Sequence, residues 1–170
     1  DTMSIVDPLL TIPLLVFVIT AARTQRQWLS WLACGWMLSF FALGWLQHER
    51  AMQAATQVAS LRGHEPLRLS VKPSFANLLV WKAIYEHDDS YYVDAVRVGA
   101  QTTWFPGARV PKLDLARHFP GLEPDSQQAL DVERFRWFSD DYLSPMDNSP
   151  RILDMRYSLV PNELDPMWGI

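Results

Sequence analysis

The chain has 170 residues, a net charge of −4, one cysteine and 49% hydrophobic side chains. That is one ordinary domain, or a small domain with an appendage. No basic stripe is present to follow phosphates, which argues against a nucleic-acid partner. Cys34 alone excludes an internal disulfide framework and any Cys-rich zinc module.

The charge is unevenly spread. The first 47 residues hold four charged side chains, Asp1, Asp7, Arg23 and Arg26, whereas residues 51–170 hold 12 Lys/Arg and 16 Asp/Glu. An oily N-terminal part is followed by a water-soluble part. The sequence predicts a membrane α-helical hairpin in residues 1–50, a juxtamembrane helix and linker in 51–65, and a soluble α+β domain with a mainly antiparallel sheet in 66–170.

Ile5 to Ala22 is the first apolar segment, interrupted near its start by Asp7. The uncharged run from Pro8 is short for a span and needs tilt or its flank to cross. Pro13 lies in the first turns, where a membrane helix tolerates it. Asp7 and the lack of a basic start argue against a cleaved signal peptide. Trp28 to Gln47 is uncharged and, at about 1.5 Å per residue, roughly 30 Å long as a helix, the thickness of a bilayer core. Trp28, Trp31 and Trp45 suit its two interfaces. Arg23 and Arg26 in the connection place it in the cytoplasm by the positive-inside rule, so residues 51–170 are expected outside, in a periplasm-like compartment.

His48–Leu61 reads as a helical continuation ended by Gly63 and Pro66. Strands are predicted over Leu67–Val71, Leu78–Glu86 and Tyr91–Val98, the last two joined at His87–Ser90. A short strand over Gln101–Phe105 is expected to give way to a Pro/Gly loop, Pro106–Pro111. Short helices are expected at Leu113–Phe119 and Pro124–Leu130. Arg134–Leu143 and Arg151–Val160 read as a final strand pair, the second alternating Leu153, Met155, Tyr157 and Leu159 with polar residues.

The start DTMSIVDPLLTIPLL, then PSFANLLVWKAIYEHDDSYYVDAVRVG, RFRWFS and RYSLVPNE, occur in an order that resembles the later part of the bacterial membrane-bound metal-dependent hydrolases, also described as LexA-binding, inner-membrane-associated hydrolases. The resemblance implies a helical membrane bundle with a soluble C-terminal domain in the bacterial inner membrane. It also implies a divalent metal, zinc or similar, acting on an ester or phosphoester. The family's His-Arg-x-x-Ser/Thr-His-Ser and His-x-x-x-Asp motifs are missing, and its Asp-x-x-x-x-x-Asp-Pro motif falls on Asp1 to Pro8. A C-terminal portion of a longer protein is therefore expected, inactive by itself, with further transmembrane helices of the same chain and the lipid bilayer as partners.

On this resemblance Asp1 and Asp7 become metal ligands, with Asp7 the catalytic candidate; a carboxylate at the membrane edge is costly to keep without a purpose. Asp7-Pro8 is equally a helix start, with Asp as cap. His48, His64, His87 and His118 show no ligand spacing. His87-Asp88-Asp89 and Asp140-Asp141 read as turn tips or cation ligands. Cys34, mid-membrane, is a poor thiolate. Of the aromatic residues Trp81, Tyr85, Tyr91, Tyr92, Trp104, Phe135, Trp137 and Phe138, most belong to a core, and an exposed subset suits a groove for lipid, glycan or peptide. The alternative function is a non-enzymatic, membrane-anchored extracytoplasmic binding or assembly domain. A LexA-type partner ranks last, because it needs a cytoplasmic surface.

Overall fold

The computed structural model describes residues 2–4, 6–146, 149–165 and 168–170. Two N-terminal helices precede a four-stranded antiparallel sheet, which is followed by two short helices and a two-stranded sheet.

Helix α1 runs Pro8–Thr24. Asp7 caps it, its Oδ1 accepting from the Leu9 N–H at 2.9 Å, and Pro8 occupies the first turn, where no N–H is missed. Pro13 removes one further N–H without breaking the helix. Gln25 ends it in the left-handed region, φ 54°, its N–H donating to the Ala21 carbonyl.

Helix α2 is a single unbroken element, Gln27–Leu61. At about 1.5 Å per residue its 35 residues extend roughly 52 Å. It is long and apolar enough to cross a membrane, and α1 is a shorter apolar helix. Apart from Ala59, the buried positions Leu29, Ala33, Phe40, Gly44, Gln47, Ala51, Ala55 and Val58 recur at steps of three, four or seven, which is one stripe along the helix. The first half of α2 packs against α1, and its last turns pack on the sheet. At Gly44 the N-terminal segment passes so close that a Cβ would lie 2.7 Å from the Thr2 carbonyl oxygen.

The sheet is a meander of β1 (Arg68–Pro73), β2 (Val80–His87), β3 (Ser90–Val98) and β4 (Thr102–Pro111). Asp88 and Asp89, φ 46° and 52°, make the two-residue β2–β3 turn, as the right-handed twist of a tight hairpin requires. Side chains alternate across the sheet. Val71, Trp81, Ala83, Val96 and Val98 meet Ala51 and Ala55 of α2. Ile84, Tyr91 and Val93 on the other face meet Tyr142, Leu153 and Met155. Small alanines on α2 let the helix approach closely, and bulk comes from the strands.

Beyond the sheet, α3 (Leu115–His118) is one turn capped by Asp114, and α4 (Gln127–Phe138) is capped by Ser126. Strand β5 (Leu143–Pro145) pairs with β6 (Ile152–Asp154), and Trp168 and Ile170 hydrogen-bond along the other edge of β6.

Three expectations are corrected. Pro106–Pro111 is strand rather than loop: β4 is an edge strand, where Pro is tolerated, and a bulge opposite Val93–Ala95 absorbs Pro106. Arg134–Phe138 is helix rather than strand, because the Ser126 cap starts a helix whose Ala129, Val132 and Phe135 recur every three residues toward the core. The last strand stops at Asp154, where Arg156 folds back onto the Asp154 carboxylate. Leu159, expected to face a core, is exposed.

Candidate functional site

Among the sequence candidates, Asp1 lies outside the described residues. Asp7 is 3% exposed and is the N-cap of α1 through one oxygen. Its second oxygen, Oδ2, is buried with no hydrogen-bond partner among the described residues. A buried carboxylate oxygen without a donor is costly. The described residues contain no group of three or more His, Cys, Asp or Glu able to hold a metal. Asp7 supplies one oxygen donor, short of the three or four that a zinc site needs. The residues present do not fit a complete metal centre.

The histidines scatter to different tasks. His48 meets the Trp81 ring edge-on, and His118 bonds the Asp114 backbone at the end of α3. His87 precedes the β2–β3 turn, its Nδ1 3.2 Å from the Glu65 carbonyl oxygen and its Nε2 3.3 Å from Asp88. Its ring stacks on His64, centroids 4.3 Å apart. These two are brought together from 23 residues apart, which no local spacing disclosed.

The densest polar network on the helix-covered face centres on Arg62, the C-cap of α2. Asp94 lies on the face that α2 covers, opposite the β4 bulge, and its carboxylate takes both ends of the Arg62 guanidinium at 2.6 and 2.9 Å. The Gly107 N–H donates to the same carboxylate at 2.9 Å. Only glycine fits at 107, since a Cβ there would collide with the Val93 and Asn162 carbonyl oxygens. Arg62 also donates to Tyr85 Oη, whose proton is then directed to His64 Nδ1 at 2.9 Å. Burial, then the neighbouring His87 and Arg62, hold the His64 pKa below 6.5, consistent with an acceptor nitrogen. Tyr85 stacks on Tyr92, and Arg109 lies over the Tyr92 ring. The Arg62 charge is matched by Asp94, and the pair locks the end of α2 to the sheet.

The opposite face carries two further networks. Glu86, 5% exposed, accepts from Arg68 and from Lys112 at 2.7 Å; Lys112 continues to Asp141, which Arg136 also holds. Asp141, a sequence candidate for a cation, is thereby neutralised by two basic side chains. Asp140 and Asp141 form the turn after α4, both with positive φ. Tyr91 donates its hydroxyl proton to the Asp141 carbonyl.

Nearby, Lys82 is 3% exposed and donates to Ser158 Oγ at 2.8 Å and toward the Glu163 carbonyl at 3.4 Å. Burial lowers its pKa to about 8, against a smaller opposing pull from Asp154. Ser158 Oγ in turn donates to the Val160 carbonyl at 2.7 Å. The ammonium thus straps the C-terminal segment to the sheet. Asp154, fully buried, is held by Arg156.

Of the aromatic candidates, Trp81, Tyr85 and Tyr91 are core, whereas Trp104, Trp137 and Phe138 are exposed. A cleft of about 540 Å³ lies beside α3 and α4, lined by Leu115, Phe119, Pro120 and Leu122 with Glu133 at its edge. It uses none of the exposed aromatic candidates.

Sequence reading missed Arg62, Lys82, Glu86 and Asp94. The signal was present as parity: in VWKAIYEH, Lys82 and Glu86 share a face with Ile84, and in YYVDAVRV Asp94 lies between Tyr92 and Val96 on the face that α2 covers. Comparison with protein-family models, curated proteins and solved structures finds no match for this chain.

Proposed function

We propose that this chain is a membrane-anchored binding and assembly module. In this reading α1 and residues 27–47 of α2 form a hairpin in the bilayer, and the sheet domain stands in an extracytoplasmic, periplasm-like compartment. The supporting observation is the exposure pattern. Leu9, Ile12, Leu15, Trp31, Leu38 and Trp45 lie exposed on the two helices, while the following turns of α2 are buried on the sheet. So much exposed apolar surface on one end of a chain calls for a lipid or protein surround. Arg23 and Arg26 at the far end orient it. Alkaline carbonate washing should leave the protein in the membrane pellet. Protease added to spheroplasts should remove the sheet domain, and protection until lysis would refute the orientation.

A second reading is favoured by Asp7, whose buried Oδ2 has no donor among the described residues. In it the chain is the C-terminal part of an inner-membrane metal-dependent hydrolase, and Asp7 is one donor in a site completed by residues of preceding helices. Asp7→Asn in the full-length protein keeps a capping oxygen but removes the charge. Bound metal and hydrolytic turnover should both fall while membrane insertion persists. Unchanged metal content would sink the role of Asp7.

A further inference from the structure

We propose that the cleft between α1 and α2, at their Arg23–Gln27 end, is a binding site for an anionic phospholipid. The inference rests on the membrane reading above and adds a ligand to it. The cleft measures about 570 Å³ and is walled by Leu14, Val18, Ala22, Ala33 and Met37, with Arg26 at its mouth. Ligand clefts typically enclose about 300–1,000 Å³ with mainly apolar walls and a few placed polar groups. Small side chains at Ala22 and Ala33 leave the space that larger residues would fill.

The mouth is cationic without compensation. Residues 8–48 include no Asp or Glu, and Arg23 and Arg26 are their only charges. Neither arginine makes an ion pair among the described residues. Arg26 is the N-cap of α2 but gives no side-chain capping bond; its carbonyl takes the Leu29 N–H, and the N–H groups of Gln27 and Trp28 open the 35-residue helix at the same end. Arg26 and the open N–H groups make a phosphate acceptor, Arg23 in the last turn of α1 adds positive charge to the same connection, and the apolar walls below suit an acyl chain. Trp28 and Trp31, both exposed, sit at the headgroup level that this seating requires. A zwitterionic headgroup would bring a second cation beside the arginines, so a phosphatidylglycerol-type lipid is preferred over a phosphatidylcholine.

The test uses the full chain, delipidated in mild detergent and titrated with phosphatidylglycerol or phosphatidylcholine of identical chains, read by native mass spectrometry. One phosphatidylglycerol should be retained at least about tenfold more strongly. Arg23→Gln with Arg26→Gln should abolish that preference. Ala22→Trp, at an exposed position on the cleft wall, should weaken retention while leaving both arginines. Equal retention of the two lipids, a preference that survives the double variant, or retention unaffected by Ala22→Trp would each overturn the site. Cys34 lines the cleft and gives a second readout: lipid-free protein should react with a maleimide, and phosphatidylglycerol should slow the reaction. A Cys34 already shielded without lipid would mean that protein fills the cleft, which also overturns the proposal. Release of the chain by alkaline carbonate would refute the membrane reading itself; membrane retention with no lipid preference would refute the lipid site alone.

Discussion

Replacing Lys82 by methionine should stabilise the protein at neutral pH. The Lys82 ammonium is buried on the sheet face beneath residues 158–163, with a serine oxygen and one carbonyl as its hydrogen-bond partners. Its pKa of about 8, down from 10.5, corresponds to a penalty of about 3 kcal/mol on the charged form, at about 1.4 kcal/mol per pH unit. Below pH 8 both folded and unfolded chains carry the proton, and the folded state bears the full penalty. Between pH 8 and 10.5 the unfolded chain binds the proton and the folded one does not, so stability rises with pH across that window. Methionine fills a similar volume without charge, and Ser158 keeps its bond to the Val160 carbonyl. The variant should therefore gain about 1–3 kcal/mol at pH 7 once the lost charge-assisted bonds are deducted. For a chain of this size, that is a rise of roughly 2–12 °C in unfolding temperature. Circular dichroism melts of both proteins in detergent, at pH 7 and pH 10, measure it. Other groups that titrate in the range cancel in the difference between the two. The gain should shrink toward zero at pH 10; a difference independent of pH, or a clear loss of stability at pH 7, would refute the reasoning.

Arg62→Met should behave in the opposite way, because among the described residues it leaves the buried Asp94 carboxylate with the Gly107 N–H alone. A loss of about 3–5 kcal/mol is expected in the same melts, and adding Asp94→Asn should recover part of it. For His64, whose folded pKa lies below 6.5, the unfolded imidazole takes a proton that the folded one resists. Stability should thus fall as pH drops below about 6.5, and His64→Gln, which keeps an acceptor for Tyr85, should flatten that dependence in melts at pH 5 and pH 7.5.

The elements most legible in the sequence were those governed by one strong local signal. The apolar run and the Ala-rich run merge into one helix because no breaker stands between Gln47 and His48. Strands β2 and β3 were legible because hydrophobic alternation and a four-residue polar turn agreed. Pro106 and Gly107 point to a loop by local turn chemistry, whereas an edge position and a bulge carry β4 through them. The alternation at Leu153–Leu159 was misleading past Asp154, where the Arg156–Asp154 pair closes a turn. The polar networks were hidden for a different reason. Arg62 and Asp94, or Lys112 and Asp141, are about 30 residues apart, and only the folded sheet sets them within a hydrogen bond. For Asp7, the capping role is legible from Asp-Pro, whereas the burial of its second oxygen, with no donor among the described residues, is not.

Helix α2 joins its two environments without a swivel. The buried stripe that runs from Leu29 to Gly44, where the segment before α1 crosses it, continues as the stripe that faces the sheet from Ala51. Inserting one residue between them would rotate the sheet domain by about 100° about the helix axis, and Gln47 would lose its bonds to the Leu78 and Val98 carbonyls. Length changes in this stretch should be tolerated only in near-whole turns. The element then acts as a crankshaft: a roll or tilt imposed on its Trp-rich end reappears at Arg62, about 50 Å away, as a displacement of the sheet.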